Sequence, residues 1–280
     1  MKGLGTRAGK RFGRIVVAIA AMAATGAALA GCEEILEDIL GETSGGGAPP
    51  PGSVAEGFTY YGPGDLAPGS GSGVTDRTVY SPDIRFPVGT HPAYLNSQVW
   101  GVGGANGPGG DGWCDARNYQ MPWRDNFCET RSGADRDTLN CPSRAVHQGQ
   151  DIRAGDSALC NAMRGKSASD RTDIPVVAVE DGYISYVGSY TVNVRAADRI
   201  YRYMHMNMAR LQVEEGDTVS KGQTIGYLSN DFGGTATTMH LHMEFKQNID
   251  GVGWTWVSPY MSLVRAYERR EGGVGVEVAD

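Results

Sequence analysis

The sequence has no excess of basic residues and no apolar run of membrane-spanning length. Its 280 residues carry 25 Lys and Arg against 32 Asp and Glu, a net charge of -7. Binding to nucleic acid without sequence preference needs clustered Lys and Arg that release counterions, so this balance argues against a nucleic-acid partner. The longest apolar stretch, residues 15–30, is shorter than the roughly 20 residues that a transmembrane helix needs.

This N-terminal stretch is instead typical of an export signal, because five basic residues precede it and small side chains end it. It runs into Leu29-Ala30-Gly31-Cys32, which resembles the lipobox of bacterial lipoproteins, where the chain is cut before an acylated cysteine. We expect residues 1–31 to be a signal peptide and a lipid on Cys32 to anchor the protein to a membrane, facing the periplasm and most simply in the outer membrane. A transmembrane anchor or an ordinary cleaved signal is the alternative.

Beyond Cys32 the sequence has only four cysteines: Cys114, Cys128, Cys141 and Cys160. No two of them have the two-to-four-residue spacing of a structural zinc knuckle. An even number of cysteines in an exported chain predicts two disulfides, with three pairings open. We favour the first cysteine with the second and the third with the fourth, because the latter bridge closes a loop that contains His147 and Asp151.

Composition divides the rest of the chain. The sequence has 41 Gly and 13 Tyr and shows no internal repeat, which favours short strands and tight turns and hence a mainly β fold. Residues 32–76 are rich in Gly, Pro and Ser and predict a flexible tether. Residues 77–143 predict a loop-rich extension held by disulfides, residues 144–270 a globular core with several strands and one short helix near its end, and residues 271–280 a frayed tail.

Four of the five histidines fall in three short motifs. His147-Gln-Gly-Gln-Asp151 spaces an imidazole and a carboxylate by four residues, and His205 ends a predicted strand. In the segment 240–245, alternation sends His240, His242 and Glu244 to one face and three apolar side chains to the other. Two imidazoles and one carboxylate that converge form the ligand set of a catalytic zinc site, which keeps its fourth position for water.

In order and spacing these motifs, with the glycine-containing segment 213–226, resemble the lysostaphin-type (LytM-type) zinc endopeptidases, which cut peptidoglycan peptides. The likeness covers roughly residues 144–260. It implies a core that is a small antiparallel β-sandwich or split barrel, a Zn2+ cofactor bound by His147, Asp151 and His242, and a peptidoglycan peptide substrate. It also implies that His240 and His205 flank the water that zinc activates.

We therefore expect a zinc-dependent endopeptidase that hydrolyses peptide cross-links of peptidoglycan. An imidazole with a pKa near roughly 6.5 can both take and return a proton, which favours His240 as the general base. His205 would donate to the oxyanion or orient the water, and Glu244 would support a ligand. Two other classes stay open: a non-catalytic regulator of the same fold that activates cell-wall amidases, and a carrier-type or adaptor module, which the segment 216–223 also resembles.

Overall fold

The structure is a computed structural model that describes residues 54–280. The predicted signal peptide, the predicted lipidation site Cys32 and the first part of the predicted tether lie outside the described residues. No helix within the described part of the chain is long and apolar enough to cross a membrane.

The described residues are mainly β, as predicted. The strands are β1 Val54–Tyr61, β2 Ala93–Leu95, β3 Gln150–Ala154, β4 Pro175–Val177, β5 Gly182–Val187, β6 Thr191–Ala196, β7 Arg199–Met204, β8 Thr218–Val219, β9 Thr224–Tyr227, β10 Asp231–Phe232, β11 Thr235–Ala236, β12 Leu241–Ile249, β13 Gly253–Val257 and β14 Val274–Val278. The α-helices are α1 Ser157–Gly165 and α2 Tyr260–Glu271. Short 3-10 helices span Ala116–Asn118, Ala168–Asp170 and Met208–Arg210.

An antiparallel sheet of eight strands organises the molecule, in the order β2-β3-β12-β7-β6-β5-β8, with β13 also paired to β12. The nine-residue β12 is its centre, because β7 runs along one edge while β3 and β13 share the other. Leu241, Met243 and Phe245 of β12 are fully buried in the core, as the alternation predicted. The other face of the strand carries the histidines.

The two ends of the described chain pair with each other, which corrects two predicted boundaries. β1 lies parallel to β14, so residues 54–61 are not part of a flexible tether and residues 274–278 are not frayed. Phe58 is 1% exposed and packs against Trp123 and Tyr267, with ring centroids 4.7 Å away in both cases. Composition missed these strands because each is stabilised by a partner more than 200 residues away.

The structure forms both disulfides but exchanges the partners we favoured: Cys114 joins Cys160, and Cys128 joins Cys141. Cys160 lies on the buried side of α1, a helix the sequence reading missed, and Cys114 meets it there because its carbonyl accepts a hydrogen bond from Ser157 Oγ (2.6 Å). The segment that begins at Cys128 pairs antiparallel with residues 145–147. This pairing turns the intervening chain, which contains Cys141, back towards Cys128.

Candidate metal centre

Sheet register brings the three predicted ligands together. Asp151 on β3 lies directly opposite His242 on β12, and β7 pairs with the other edge of β12 and ends one residue before His205. His147 lies just before β3, and its own N–H and C=O bond to Glu129 and Cys128. The loop-rich extension and the sheet therefore hold this cluster jointly.

The ligand atoms of His147, Asp151 and His242 lie within 4.8 Å of one another, and all three residues are buried. His242 Nδ1 is 3.0 Å from Asp151 Oδ1 and 2.9 Å from His147 Nε2. His147 Nε2 is 3.2 Å from the same Asp151 oxygen. Two imidazole nitrogens and a carboxylate oxygen thus face one point.

The outer hydrogen bonds fix which ring nitrogen of each imidazole faces that point. His147 Nδ1 lies 2.8 Å from the carbonyl oxygen of Asn126, which can only accept, so Nδ1 carries the hydrogen and Nε2 presents a lone pair. His242 Nε2 donates to Glu244 Oε1 at 3.0 Å, which leaves Nδ1 to face Asp151. This donor set fits a zinc ion, which prefers two or three imidazoles with a carboxylate.

The pKa values of His147, Asp151 and His242 decide how the cluster is charged around the point that they face. Burial lowers the pKa of His147 to about 4, so its ring is neutral. Burial opposes ionisation of Asp151, but the adjacent His147 and His240 outweigh it and hold the pKa of this carboxyl well below its usual range. Burial also disfavours a charged His242, yet its hydrogen bonds to Asp151 and Glu244 raise its pKa to about 9. In the metal-free protein, a proton on His242 therefore fills the position that a cation would take.

His240 and His205 flank the cluster with their rings 4.8 Å apart. His240 Nδ1 lies 2.9 Å from the carbonyl oxygen of Thr238, so Nδ1 carries a hydrogen and Nε2 is the ring nitrogen that faces the cluster. That Nε2 is buried, makes no hydrogen bond within the described residues and lies 3.4 Å from Asp151 Oδ1. His205 Nδ1 donates to the carbonyl of Asp231 at 2.8 Å, and its φ of 67° is a left-handed conformation that the turn after β7 imposes.

A cavity of about 450 Å3 opens beside His205. The β10–β11 hairpin, Ser189 and Arg171 line this cavity. Phe232 at the hairpin is 44% exposed, and its ring centroid is 5.3 Å from that of His205. The segment after Asn230 thus shapes the space next to a flanking histidine.

Residues that the sequence reading missed brace Asp151 from the loop-rich extension. Asn126 Oδ1 accepts from the Asp151 backbone N–H (3.1 Å), and the Gln98 N–H donates to Asp151 Oδ2 (3.1 Å). Arg131 Nη2 lies 3.6 Å from the same oxygen, and Nη1 of the same guanidinium donates to Oε2 of the buried Glu129 at 2.6 Å. Burial raises the pKa of Glu129 to about 7, against the attraction of Arg131. No motif encodes these contacts, because two of the four come from backbone atoms or an amide.

Gly149, in the middle of the His147–Asp151 motif, is required by a close approach. A Cβ there would lie 2.5 Å from the Met243 carbonyl oxygen and 2.8 Å from His242 Nε2. Glu244 supports His242, as expected, and is itself held by Arg202 Nη1 at 2.8 Å.

Two further residues, Arg153 and His91, lie apart from this chemistry. Arg153, two residues beyond Asp151, is buried and donates to Asn96 Oδ1 (2.7 Å) and the Trp113 carbonyl (3.3 Å). It is therefore a structural residue. His91 contacts Thr90 in a separate loop, 3.2 Å away, and takes no part in the cluster.

Comparison with known proteins identifies the class. Residues 161–253 match the family model of Peptidase family M23, which confirms the resemblance seen in the motifs. The matched stretch includes His205, His240 and His242, and it begins after His147 and Asp151. No curated protein matches the chain.

Several solved structures are similar at low identity. LytM of Ruminococcus gnavus ATCC 29149 is 18% identical over 72% of this chain, with a TM-score of 0.38, and the match spans 66% of that protein's length. The catalytic domain of lysostaphin from Staphylococcus simulans is 21% identical, with 47% of this chain and 90% of that chain covered and a TM-score of 0.30. The catalytic domain of the prophage-encoded M23 protein EnpA from Enterococcus faecalis is 21% identical, with 46% and 87% covered and a TM-score of 0.29.

Proposed function

We propose that this chain is a zinc-dependent endopeptidase that hydrolyses peptide cross-links of peptidoglycan in the cell envelope. The observation that carries the proposal is the convergence of His147 Nε2, Asp151 Oδ1 and His242 Nδ1 on one point, beside His240 Nε2, which makes no hydrogen bond within residues 54–280. A purely structural cluster gains nothing from a buried nitrogen without a hydrogen bond.

The same geometry suggests how the reaction is divided among the residues. His147, Asp151 and His242 would hold the zinc ion, which when bound would supply a Lewis acid for the scissile carbonyl and for the attacking water. His240 Nε2 takes a proton from the attacking water and returns it to the leaving amine, a role typically worth about 10² to 10⁴ in rate. The Thr238 carbonyl holds the imidazole in the tautomer that can accept.

Of the two roles expected for His205, its environment favours orienting the water. Burial and the neighbouring His240 and His242 keep the pKa of His205 well below its usual range, so the ring is neutral. Its one ring hydrogen is engaged by the Asp231 carbonyl. His205 Nε2 can therefore accept a hydrogen bond from water and has no proton to donate to an oxyanion.

We also propose that the mature protein is lipidated at Cys32 and faces the periplasm from the outer membrane. This rests on the lipobox-like Leu29-Ala30-Gly31-Cys32 and on the two disulfides, which suit an oxidising compartment. In such an envelope the cross-link joins D-Ala to a diamino acid, and this is the bond we expect to be cut.

Digestion of purified cross-linked muropeptides, read by mass, tests the proposal. We expect dimers to become two monomers whose summed mass exceeds that of the dimer by one water. A chelator should stop the reaction and added zinc should restore it, whereas His240→Ala should remain roughly 10²-fold or more slower than the wild type even with added zinc. If the zinc-loaded wild type leaves every muropeptide intact but stimulates a purified cell-wall amidase, the chain is the non-catalytic regulator.

A further inference from the structure

The face of the main sheet that carries the metal centre continues into a set of cations and aromatic rings. Lys246 is four residues beyond His242 on β12, so alternation gives both the same face. Arg202 of β7 lies opposite Glu244 and therefore shares this face. On β6 the partner of Arg202 is Asn193, and Arg195, two residues further along, lies on the same face. We call the following set the cation–aromatic face: Arg195, Arg202, Lys246, Trp254, Trp256 and Tyr183.

The tryptophans of β13 hold the cations of this face in place. The Arg202 guanidinium carbon lies 4.4 Å from the Trp256 ring centroid, and Lys246 Nζ lies 5.3 Å from the same centroid. The Arg195 guanidinium lies 5.1 Å from the ring centroid of Trp254. A cation over an indole is attracted without being neutralised, so its positive charge still acts on a ligand.

Most of this charge has no acidic partner in the part of the chain that the structure describes. Arg202 pairs with Glu244 at 2.8 Å, but within residues 54–280 neither Arg195 nor Lys246 has an ion pair or a side-chain hydrogen bond. Nearby acids are engaged elsewhere, since Asp137 pairs with Arg144 and Asp198 with Arg199. Three cations against one carboxylate leave a positive face on a chain whose net charge is -7.

Exposed rings border these cations. Trp254 is 37% exposed and Tyr183, which pairs with Arg195 across the sheet, is 46% exposed. A large aromatic side chain left in water is unfavourable unless a ligand covers it. Such rings pack well against the C–H face of a sugar, and the adjacent cations suit carboxylates.

The distance from the metal centre matches an extended ligand. Four residues of strand separate His242 from Lys246 by about 13 Å. An extended peptide covers that span with about four residues. A strand whose scissile bond lies at His242 therefore reaches the cation–aromatic face with the groups next along it.

We propose that the cation–aromatic face binds the uncut remainder of an anionic glycopeptide strand, with its free carboxylates at Arg195 and Lys246 and a sugar ring on Trp254. This inference rests on the proposed function for the identity of the strand as peptidoglycan. It assigns the residues of this face a part in affinity for polymeric substrate and none in the chemical step.

Binding of the full chain to purified sacculi, measured by co-sedimentation in the presence of a chelator, tests the proposal without catalysis. The variant is Arg195→Gln with Lys246→Gln, and the control is Arg164→Gln with Arg210→Gln, which removes two exposed cations outside the face. We expect the variant to bind roughly tenfold more weakly, since each carboxylate contact contributes a factor of about three, and the control to bind like the wild type. Added salt should weaken the binding of the wild type to sacculi more than it weakens the binding of the variant.

Competition identifies the ligand. Soluble cross-linked muropeptides should displace the wild type from sacculi better than neutral N-acetylglucosamine oligomers of equal sugar content. In the Trp254→Ala variant, both competitors should displace less protein than they do from the wild type. Equal binding by the variant and its control overturns the proposal, as does displacement by anionic phospholipid vesicles as strong as that by muropeptides. If sacculus binding depends on the face but muropeptides are never cut, the proposed function fails while this inference stands.

Discussion

Zinc binding should release one proton from His242 near neutral pH. The metal-free protein carries that proton because Asp151 and Glu244 raise the pKa of His242 to about 9. A metal ion needs the Nδ1 lone pair, so binding must displace it. His147, with a pKa lowered to about 4, and Asp151, whose pKa lies well below its usual range, contribute no protons above about pH 5.

The magnitude follows from this single group. Below pH 9 the apparent zinc affinity should rise about tenfold per pH unit, which is about 1.4 kcal/mol, and at pH 7 it should be about 100-fold below its alkaline limit. Competition with a chromophoric chelator at pH 6, 7 and 8 measures the slope. Calorimetry in buffers of different ionisation enthalpy counts the protons directly.

A matched variant shows whether the raised pKa is the cause. Glu244→Gln removes one of the two carboxylates that stabilise the imidazolium, so fewer protons should leave at pH 8 and the affinity should level off at a lower pH. A zinc affinity that is constant between pH 6 and 8, or a proton count near zero for the wild type, would refute the reasoning.

Three further outcomes test the centre. His147→Ala should lower bound zinc strongly from about one ion per chain, because two protein ligands remain; unchanged metal content by elemental analysis would remove His147 from the ligand set. His240→Ala should keep its zinc and lose roughly 10²-fold or more in rate on muropeptides, and loss of the metal instead would mean that His240 is a ligand. Gly149→Ala should lower the free energy of unfolding by about 1–3 kcal/mol in urea titrations, since its Cβ meets the Met243 carbonyl, whereas Gly109→Ala, where a Cβ meets nothing within 4 Å, should not.

The sequence predicted what a local pattern encodes. Alternation in β12 assigned Leu241 and Met243 to the core because a strand has only two faces, and the structure buries both. The same alternation brought His242 to the face where Asp151 meets it across the sheet. Spacing alone thus supplied the side chains of the candidate centre.

What the sequence did not predict depends on the path of the chain through space. The predicted disulfide partners were wrong because Cys160 pairs with Cys114, a residue 46 positions away in the sequence. Cys160 itself lies on α1, whose nine residues give only a weak helical pattern in the sequence. The support of His147 by the Asn126 carbonyl was missed because every residue type carries the same carbonyl. Contacts made by backbone atoms leave no trace in composition.

The parallel pairing of β1 with β14 bears on how this protein can be shortened or tagged. Composition suggests boundaries at residues 77 and 270. A version that begins at residue 77 deletes β1 together with Phe58, and a version that stops at residue 270 deletes β14 and uncovers Phe58. Gly275 approaches the Phe58 ring so closely that a Cβ would lie 2.6 Å from it, and Asp280 Oδ1 forms an ion pair with Arg124 at 2.6 Å. Asp280 is therefore anchored to the fold through its side chain, and an affinity tag attached after it needs a flexible linker so that this ion pair can still form.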